Sequence, residues 1–164
     1  MKKLVKYLTL LFLLIMLIIN SRYRDMTGVF STDKNFRSKT SYIVIHHDDI
    51  CRECSLKEID DYHRDSCGWS CGFAYNVYVK DGKVYQMHSL DAALAHTLGY
   101  NSQAVGVCFH TADKQDLQTQ ITLILTLKFL MIKYDVPKDR VVGHCDLNTT
   151  KCPGIDLKKL KRWL

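Results

Sequence analysis

The densest chemistry in the chain lies in Gly143-His144-Cys145-Asp146-Leu147-Asn148-Thr149-Thr150-Lys151-Cys152-Pro153-Gly154, which brings imidazole, carboxylate and thiol groups within nine positions. Zinc accepts nitrogen and sulfur ligands together, and a hydrolytic site uses three protein ligands with a fourth position left to water. His144 and Cys152 can supply two of the three. The third must come from elsewhere in the fold, and His46, which closes the run Tyr42-Ile43-Val44-Ile45, is the candidate. The same residues admit a disulfide instead, with Cys152 joined to Cys145 or Cys108 and His144 a buried histidine bonded to backbone.

Several elements must position these groups. The β-branched and aromatic run Tyr42 to Ile45 reads as a buried strand that delivers His46 and His47 at its end. Ser55-Leu56-Lys57-Glu58 has capping-box spacing, and Leu56, Ile59, Tyr62 and His63 recur at helical intervals, which predicts a helix from Leu56 to about Asp65. Phe73 to Val79 and Lys83 to Met87 read as strands joined through Asp81-Gly82, a pair suited to the positive backbone angles of a tight hairpin. Ala104 to Phe109 reads as a further strand, and Asp116 to Tyr134 as the main core helix, stopped by Val136-Pro137. A short strand at Val141-Val142 then leads to the ligand-rich loop, and Leu157, Leu160 and Leu164 mark a closing helix. Strands alternating with helices, plus one hairpin, predict a single α/β domain with a mixed central sheet flanked by helices.

The chain of 164 residues has the length of one domain once its start is set aside. Lys2, Lys3 and Lys6 precede the apolar run Leu8 to Ile19, which has the layout of a signal peptide or a short membrane anchor. Residues 1–22 are assigned to that segment, 23–40 to a polar tether and 41–164 to the domain. This organisation implies export, with the domain either anchored facing outward or released to the periplasm or medium. Membrane contact through the segment then depends on its remaining uncleaved. Lys2, Lys3, Lys6, Arg22 and Arg24 supply five of the 23 basic residues, so 18 remain against 17 acidic ones. A domain so near neutrality lacks a general grip on phosphate backbones, which argues against nucleic acid as a partner. Outside the cytosol, the cluster Cys51, Cys54, Cys67 and Cys71 is expected to form disulfides, in a pairing the sequence does not give. Nothing in the sequence demands a dimer, and a monomer is the expectation.

At this point five blocks carry a resemblance: Tyr42-Ile43-Val44-Ile45-His46-His47; Tyr62-His63-Arg64 with Gly68-Trp69; Phe73-Ala74-Tyr75-Asn76-Val77; Ala95-His96-Thr97-Leu98-Gly99-Tyr100-Asn101-Ser102 with Val105-Gly106-Val107-Cys108; and Gly143-His144 with Thr150-Lys151-Cys152-Pro153-Gly154. In this order they resemble the zinc amidases related to phage lysozyme-type amidases and peptidoglycan recognition proteins, over about Tyr42 to Leu157. The resemblance implies that His46, His144 and Cys152 hold zinc and that Tyr75 hydrogen-bonds the water or the developing oxyanion. Thr150 falls where phage enzymes carry lysine and recognition-protein amidases carry threonine, which makes it the second catalytic candidate. The implied activity is N-acetylmuramoyl-L-alanine amidase, a zinc metallohydrolase acting on peptidoglycan or muropeptides. Zinc would lower the pKa of a bound water to about 7 and polarise the scissile carbonyl.

Some residues depart from that pattern. Asp48-Asp49 follows the histidine pair where small or hydroxyl residues are commoner, and so brings added negative charge towards the metal. His88 and Leu94 stand where arginine and glycine are usual, implying a differently shaped groove. His96 reads as a groove residue or a histidine held by backbone, His47 and His63 as structural, and Asp146 as a turn former or an orienting group. Trp69, Tyr78, Tyr85 and Tyr100 can stack on sugars but fit core positions as well. The rival to catalysis is a peptidoglycan-binding receptor of the same fold, whose members commonly lack the cysteine ligand that Cys152 supplies here. A redox reading of Cys51-Arg52-Glu53-Cys54 lacks the surrounding βαβ pattern.

Overall fold

In chain order the strands are β1 (Tyr23–Asp25), β2 (Tyr42–His47), β3 (Val77–Lys80), β4 (Lys83–Gln86), β5 (Ala104–Phe109) and β6 (Val141–Gly143). The helices are α1 (Leu56–Asp65), α2 (Leu117–Tyr134) and α3 (Leu157–Lys161). These come from a computed structural model that describes residues 22–30, 33, 35–48, 50, 53–111 and 116–164. The apolar segment Leu8 to Ile19, along with Asp49, Cys51 and Arg52, lies outside the described residues. Among the described residues no helix is long and apolar enough to cross a membrane.

The strands form one mixed sheet in the order β1-β4-β3-β5-β2-β6, parallel throughout except for the β3–β4 hairpin. Side chains alternate across a strand, so each strand feeds both faces. Ile43, Ile45, Val77, Val79, Val105, Val107 and Phe109 project onto the face covered by α2, where Leu123, Leu127 and Leu130 meet them. Ile59 of α1 packs with Phe73, Tyr75, Tyr78, Met87 and Cys108 in a second cluster. His46 lies in register with Cys108, which in turn lies beside Tyr78. The predicted mixed α/β sheet flanked by helices is therefore the observed fold.

Local signals explain most boundaries. The Glu58 amide donates to Ser55 Oγ at 3.3 Å and the Ser55 amide donates to Glu58 Oε2 at 2.8 Å, which closes the capping box at the start of α1. The Asp116 carboxylate accepts from the Thr119 amide at 2.6 Å and starts α2. Asp81 and Gly82 have φ of 50° and 65°, as the hairpin requires.

Three expectations need revision. Residues 23–40 are not a free tether: β1 pairs in parallel with β4, and Phe36 bridges Ala92. The buried Arg37 guanidinium donates to the carbonyls of Leu90 and Ala92. An edge strand held by backbone bonds needs no apolar alternation, so its polar composition concealed it. The strand expected from Phe73 begins only at Val77, because the Asn76 side chain takes over the backbone bonding there. Its amide donates to the carbonyls of Ser89 and Ala92, and its Oδ1 accepts from the Gly106 amide at 3.0 Å. Finally, the cysteine cluster is oxidised only in part: Cys54 is disulfide-bonded, whereas Cys67 is an exposed thiol and the Cys71 thiol donates weakly to the Gly72 carbonyl.

Candidate metal centre

Parallel strands β5, β2 and β6 lie side by side and end together, and the loops that leave them form one end of the sheet. Period two turns His46 away from the α2 face, onto the side of Tyr78 and Cys108. β6 ends at Gly143, and the chain turns at once through His144–Asp146. That turn is tight because Gly143 has no side chain: a Cβ there would meet Leu157 Cδ1 at 2.6 Å and Pro153 Cδ at 2.8 Å. The Asp146 carboxylate accepts from the Gly143 amide at 2.8 Å, so Asp146 shapes the turn. The Cys145 amide donates to the Cys152 carbonyl at 2.8 Å and folds the rest of the loop back over His46.

The result is a convergence of His46, His144 and Cys152, whose potential ligand atoms all lie within 4.8 Å of one another. His46 Nδ1 is 3.8 Å from Cys152 Sγ, and the His46 and His144 ring centres are 4.6 Å apart. The disulfide alternative does not hold, since Cys108, Cys145 and Cys152 are all thiols. The Tyr75 ring packs against His46 at 5.0 Å between centres and is backed by His63 and Trp69. Thr150 is exposed, and its hydroxyl accepts from the Cys152 amide at 3.2 Å, so it steadies the loop from the outside.

Burial sets the electrostatics. It holds the His46 imidazole well below its ordinary pKa, with His96, His144 and His47 adding to the effect. His96 is lowered to about 4, again chiefly by burial, and His144 is lowered for the same reason against an opposing bond to Asn148. These imidazoles are therefore neutral, the form that ligates metals. Burial pushes the Cys152 thiol up to about 11, while the His47 amide, donating to Sγ at 3.3 Å, favours the thiolate. The Tyr75 phenol is raised well above its ordinary value by burial and keeps its proton. Two lone-pair nitrogens and one sulfur with an amide already aimed at it form a donor set suited to zinc.

Other expected contributors lie elsewhere. Asp48 does not point at the cluster: its carboxylate accepts from the Tyr78 hydroxyl, from His110 Nδ1 at 2.9 Å and from the Thr111 amide at 2.9 Å. His88 is buried between Asp33 and the Phe73 carbonyl, 2.6 and 2.7 Å away. Tyr78 is core, Tyr100 packs edge-on to Tyr42, and Trp69 sits half-buried beside Tyr75. Asn148, 3.1 Å from His144 Nε2, was not singled out by any motif.

Residues 36–155 match the family described as N-acetylmuramoyl-L-alanine amidase. Peptidoglycan-recognition protein SC2 of Drosophila simulans is 29% identical over 153 residues, which cover 83% of this chain and 81% of that protein. The endolysin amidase LysCS from Clostridium intestinale superposes with a TM-score of 0.73 at 25% identity, over 85% of this chain and 93% of that one. A variant of Drosophila PGRP-LB in complex with tracheal cytotoxin gives a TM-score of 0.70 at 20% identity, over 87% and 94% of the two chains.

Proposed function

The chain belongs to the N-acetylmuramoyl-L-alanine amidase family, and from that premise we propose that it is a zinc-dependent hydrolase. Its substrate bond is the amide between N-acetylmuramic acid and L-alanine in peptidoglycan or its fragments. The observation that carries this reading is the convergence of His46, His144 and Cys152 within 4.8 Å, next to a Tyr75 phenol that keeps its proton.

Zinc, when bound, supplies Lewis acidity that polarises the scissile carbonyl and makes water nucleophilic at neutral pH. His46 and His144 contribute neutral nitrogens and Cys152 its sulfur, with the His47 amide directed at that sulfur. Tyr75 donates its phenolic proton towards the carbonyl oxygen as charge builds on it, and the packing of His63 and Trp69 fixes its ring. Thr150 acts through the backbone of Cys152, holding the loop that carries the ligand.

Residues 1–22 act as a signal peptide or membrane anchor, exporting a monomeric domain whose sheet begins with β1 to the compartment that holds its substrate. The disulfide at Cys54 fits that compartment. Relatives named as recognition proteins favour a second reading, in which the chain binds muropeptides without cutting them. The retained Cys152 supports cleavage over binding alone.

Zinc analysis and muropeptide digestion of the chain, beside Cys152→Ser and Tyr75→Phe, separate the two. One zinc per chain with release of L-alanine-headed peptides supports the amidase. Tight muropeptide binding with no cleavage would replace it with the receptor.

A further inference from the structure

We infer that the segment His96–Leu98 fixes the tautomers of both candidate ligand histidines, so that each presents its Nδ1 lone pair to one cation. The inference rests on the metal reading above and concerns residues outside the His46–His144–Cys152 cluster itself.

Two relays carry it, each beginning at a backbone carbonyl, which can only accept. In the first, the Ala104 carbonyl lies 3.2 Å from His96 Nε2, so that nitrogen bears the proton. The partners of the buried His96 ring are that carbonyl, the Thr97 hydroxyl and the His46 imidazole, with no carboxylate to call for a second proton, which leaves its Nδ1 as a lone pair. His46 Nε2 sits 3.0 Å from that lone pair and must donate to it. The Thr97 hydroxyl, 2.8 Å from His96 Nδ1 and 3.3 Å from His46 Nε2, donates to the one and accepts from the other, which leaves the assignment unchanged. His46 therefore keeps a lone pair on Nδ1, the atom 3.8 Å from Cys152 Sγ.

In the second relay, the Leu98 carbonyl accepts from Asn148 Nδ2 at 3.3 Å, which orients the amide. Asn148 Oδ1 then faces His144 Nε2 at 3.1 Å, so His144 donates from Nε2 and keeps its own Nδ1 lone pair. The backbone is shaped for the first relay: a Cβ on Gly106 would lie 3.0 Å from His96 Cγ, so the imidazole seats directly on β5. His96 and Asn148 are thus positioning residues, and their loss leaves each ligand ring free to sample the tautomer that points a proton at the cation.

The test measures zinc affinity by chelator competition on the full chain, together with imidazole 15N correlation spectra of the metal-free protein at neutral pH. Wild type is expected to show Nε2–H tautomers at His46 and His144. His96→Phe and Asn148→Leu should each weaken zinc by ~10–100-fold and mix the tautomer of their own partner histidine. Asn148→Asp keeps the acceptor and should stay within about threefold of wild type, and its contrast with the similarly sized Asn148→Leu is what a merely space-filling role would not predict. Asn148 is part-exposed and tests the second relay even where His96→Phe fails to fold. An Nδ1–H tautomer at either histidine in wild type, or zinc affinity unchanged in Asn148→Leu, would overturn the inference. A wild-type chain that shows both Nε2–H tautomers yet takes no zinc would overturn the metal reading and leave the tautomer assignment standing.

Discussion

Two buried polar clusters lie within a few residues of each other at the end of β2, and they differ in what their polar atoms face. Around Asp48 every carboxylate contact is a donor from the protein: the Tyr78 hydroxyl, His110 Nδ1 and the Thr111 amide. Two positions earlier, His46 turns Nδ1 towards Cys152 Sγ and packs beside the His144 ring, so that three potential metal ligands converge. The carboxylate of the first cluster is satisfied as it stands. The second gathers two imidazoles and a sulfur whose potential ligand atoms lie within 4.8 Å of one another, a donor set suited to a cation. Histidine and an ionisable neighbour in a buried place do not distinguish a site from a structural network. The convergence of ligand atoms does.

The contrast can be broken at its strongest point by Cys152→Ser. Removing the sulfur should lower amide cleavage by at least ~1000-fold, through loss of the several kcal/mol that Lewis-acid catalysis supplies. Zinc retained at dialysis should fall with it, as metal analysis would reveal. In the Asp48 cluster the expected loss is of stability and not of metal. Asp48→Ala leaves His110 and Tyr78 buried without their acceptor and should cost about 3 kcal/mol in urea unfolding. Zinc per folded chain should stay as in wild type, and a loss of metal in this variant would erase the distinction between the clusters. Tyr75→Phe sharpens the picture within the site: kcat should drop by ~100-fold while zinc binding is unchanged, because the phenol acts on the reacting carbonyl and not on the metal.

A smaller effect is expected from acid on the metal-free domain. His46, His63 and His96 all have folded pKa values lowered by burial, that of His96 to about 4. Their neutral forms stabilise the fold fully above the unfolded value near 6.5. As pH falls from there towards 4 the unfolded chain takes up protons that the folded one resists, and stability declines. Thermal unfolding across that window should show a falling midpoint, whereas a midpoint that rises on acidification would contradict the burial of these rings.

Elements written in local code were legible in the sequence. The Ser55 cap, the Asp81-Gly82 hairpin, the β-branched run of β2 and the Asp116 start of α2 each depend on residues a few positions apart. The three converging side chains were legible too, through the composition of the 143–154 loop and the order of the family blocks. What stayed hidden depends on contacts made far along the chain. β1 finds its partner β4 about sixty residues away and shows no alternation of its own. The Asn76 side chain replaces strand pairing by reaching Ser89, Ala92 and Gly106. Asp48 looked like added charge at the metal until the fold supplied it with donors from β3 and from the end of β5. Asn148 passed as an ordinary loop residue, because only the fold brings it between His144 and the Leu98 carbonyl.

The central claim is that one zinc ion sits among two imidazoles and a thiolate, and X-ray absorption at the zinc edge of the loaded chain tests it most directly. The account predicts a single sulfur scatterer at about 2.3 Å and two imidazole nitrogens at about 2.0 Å, with the sulfur shell lost in Cys152→Ser. A first shell of oxygen and nitrogen alone in the wild-type chain would contradict it.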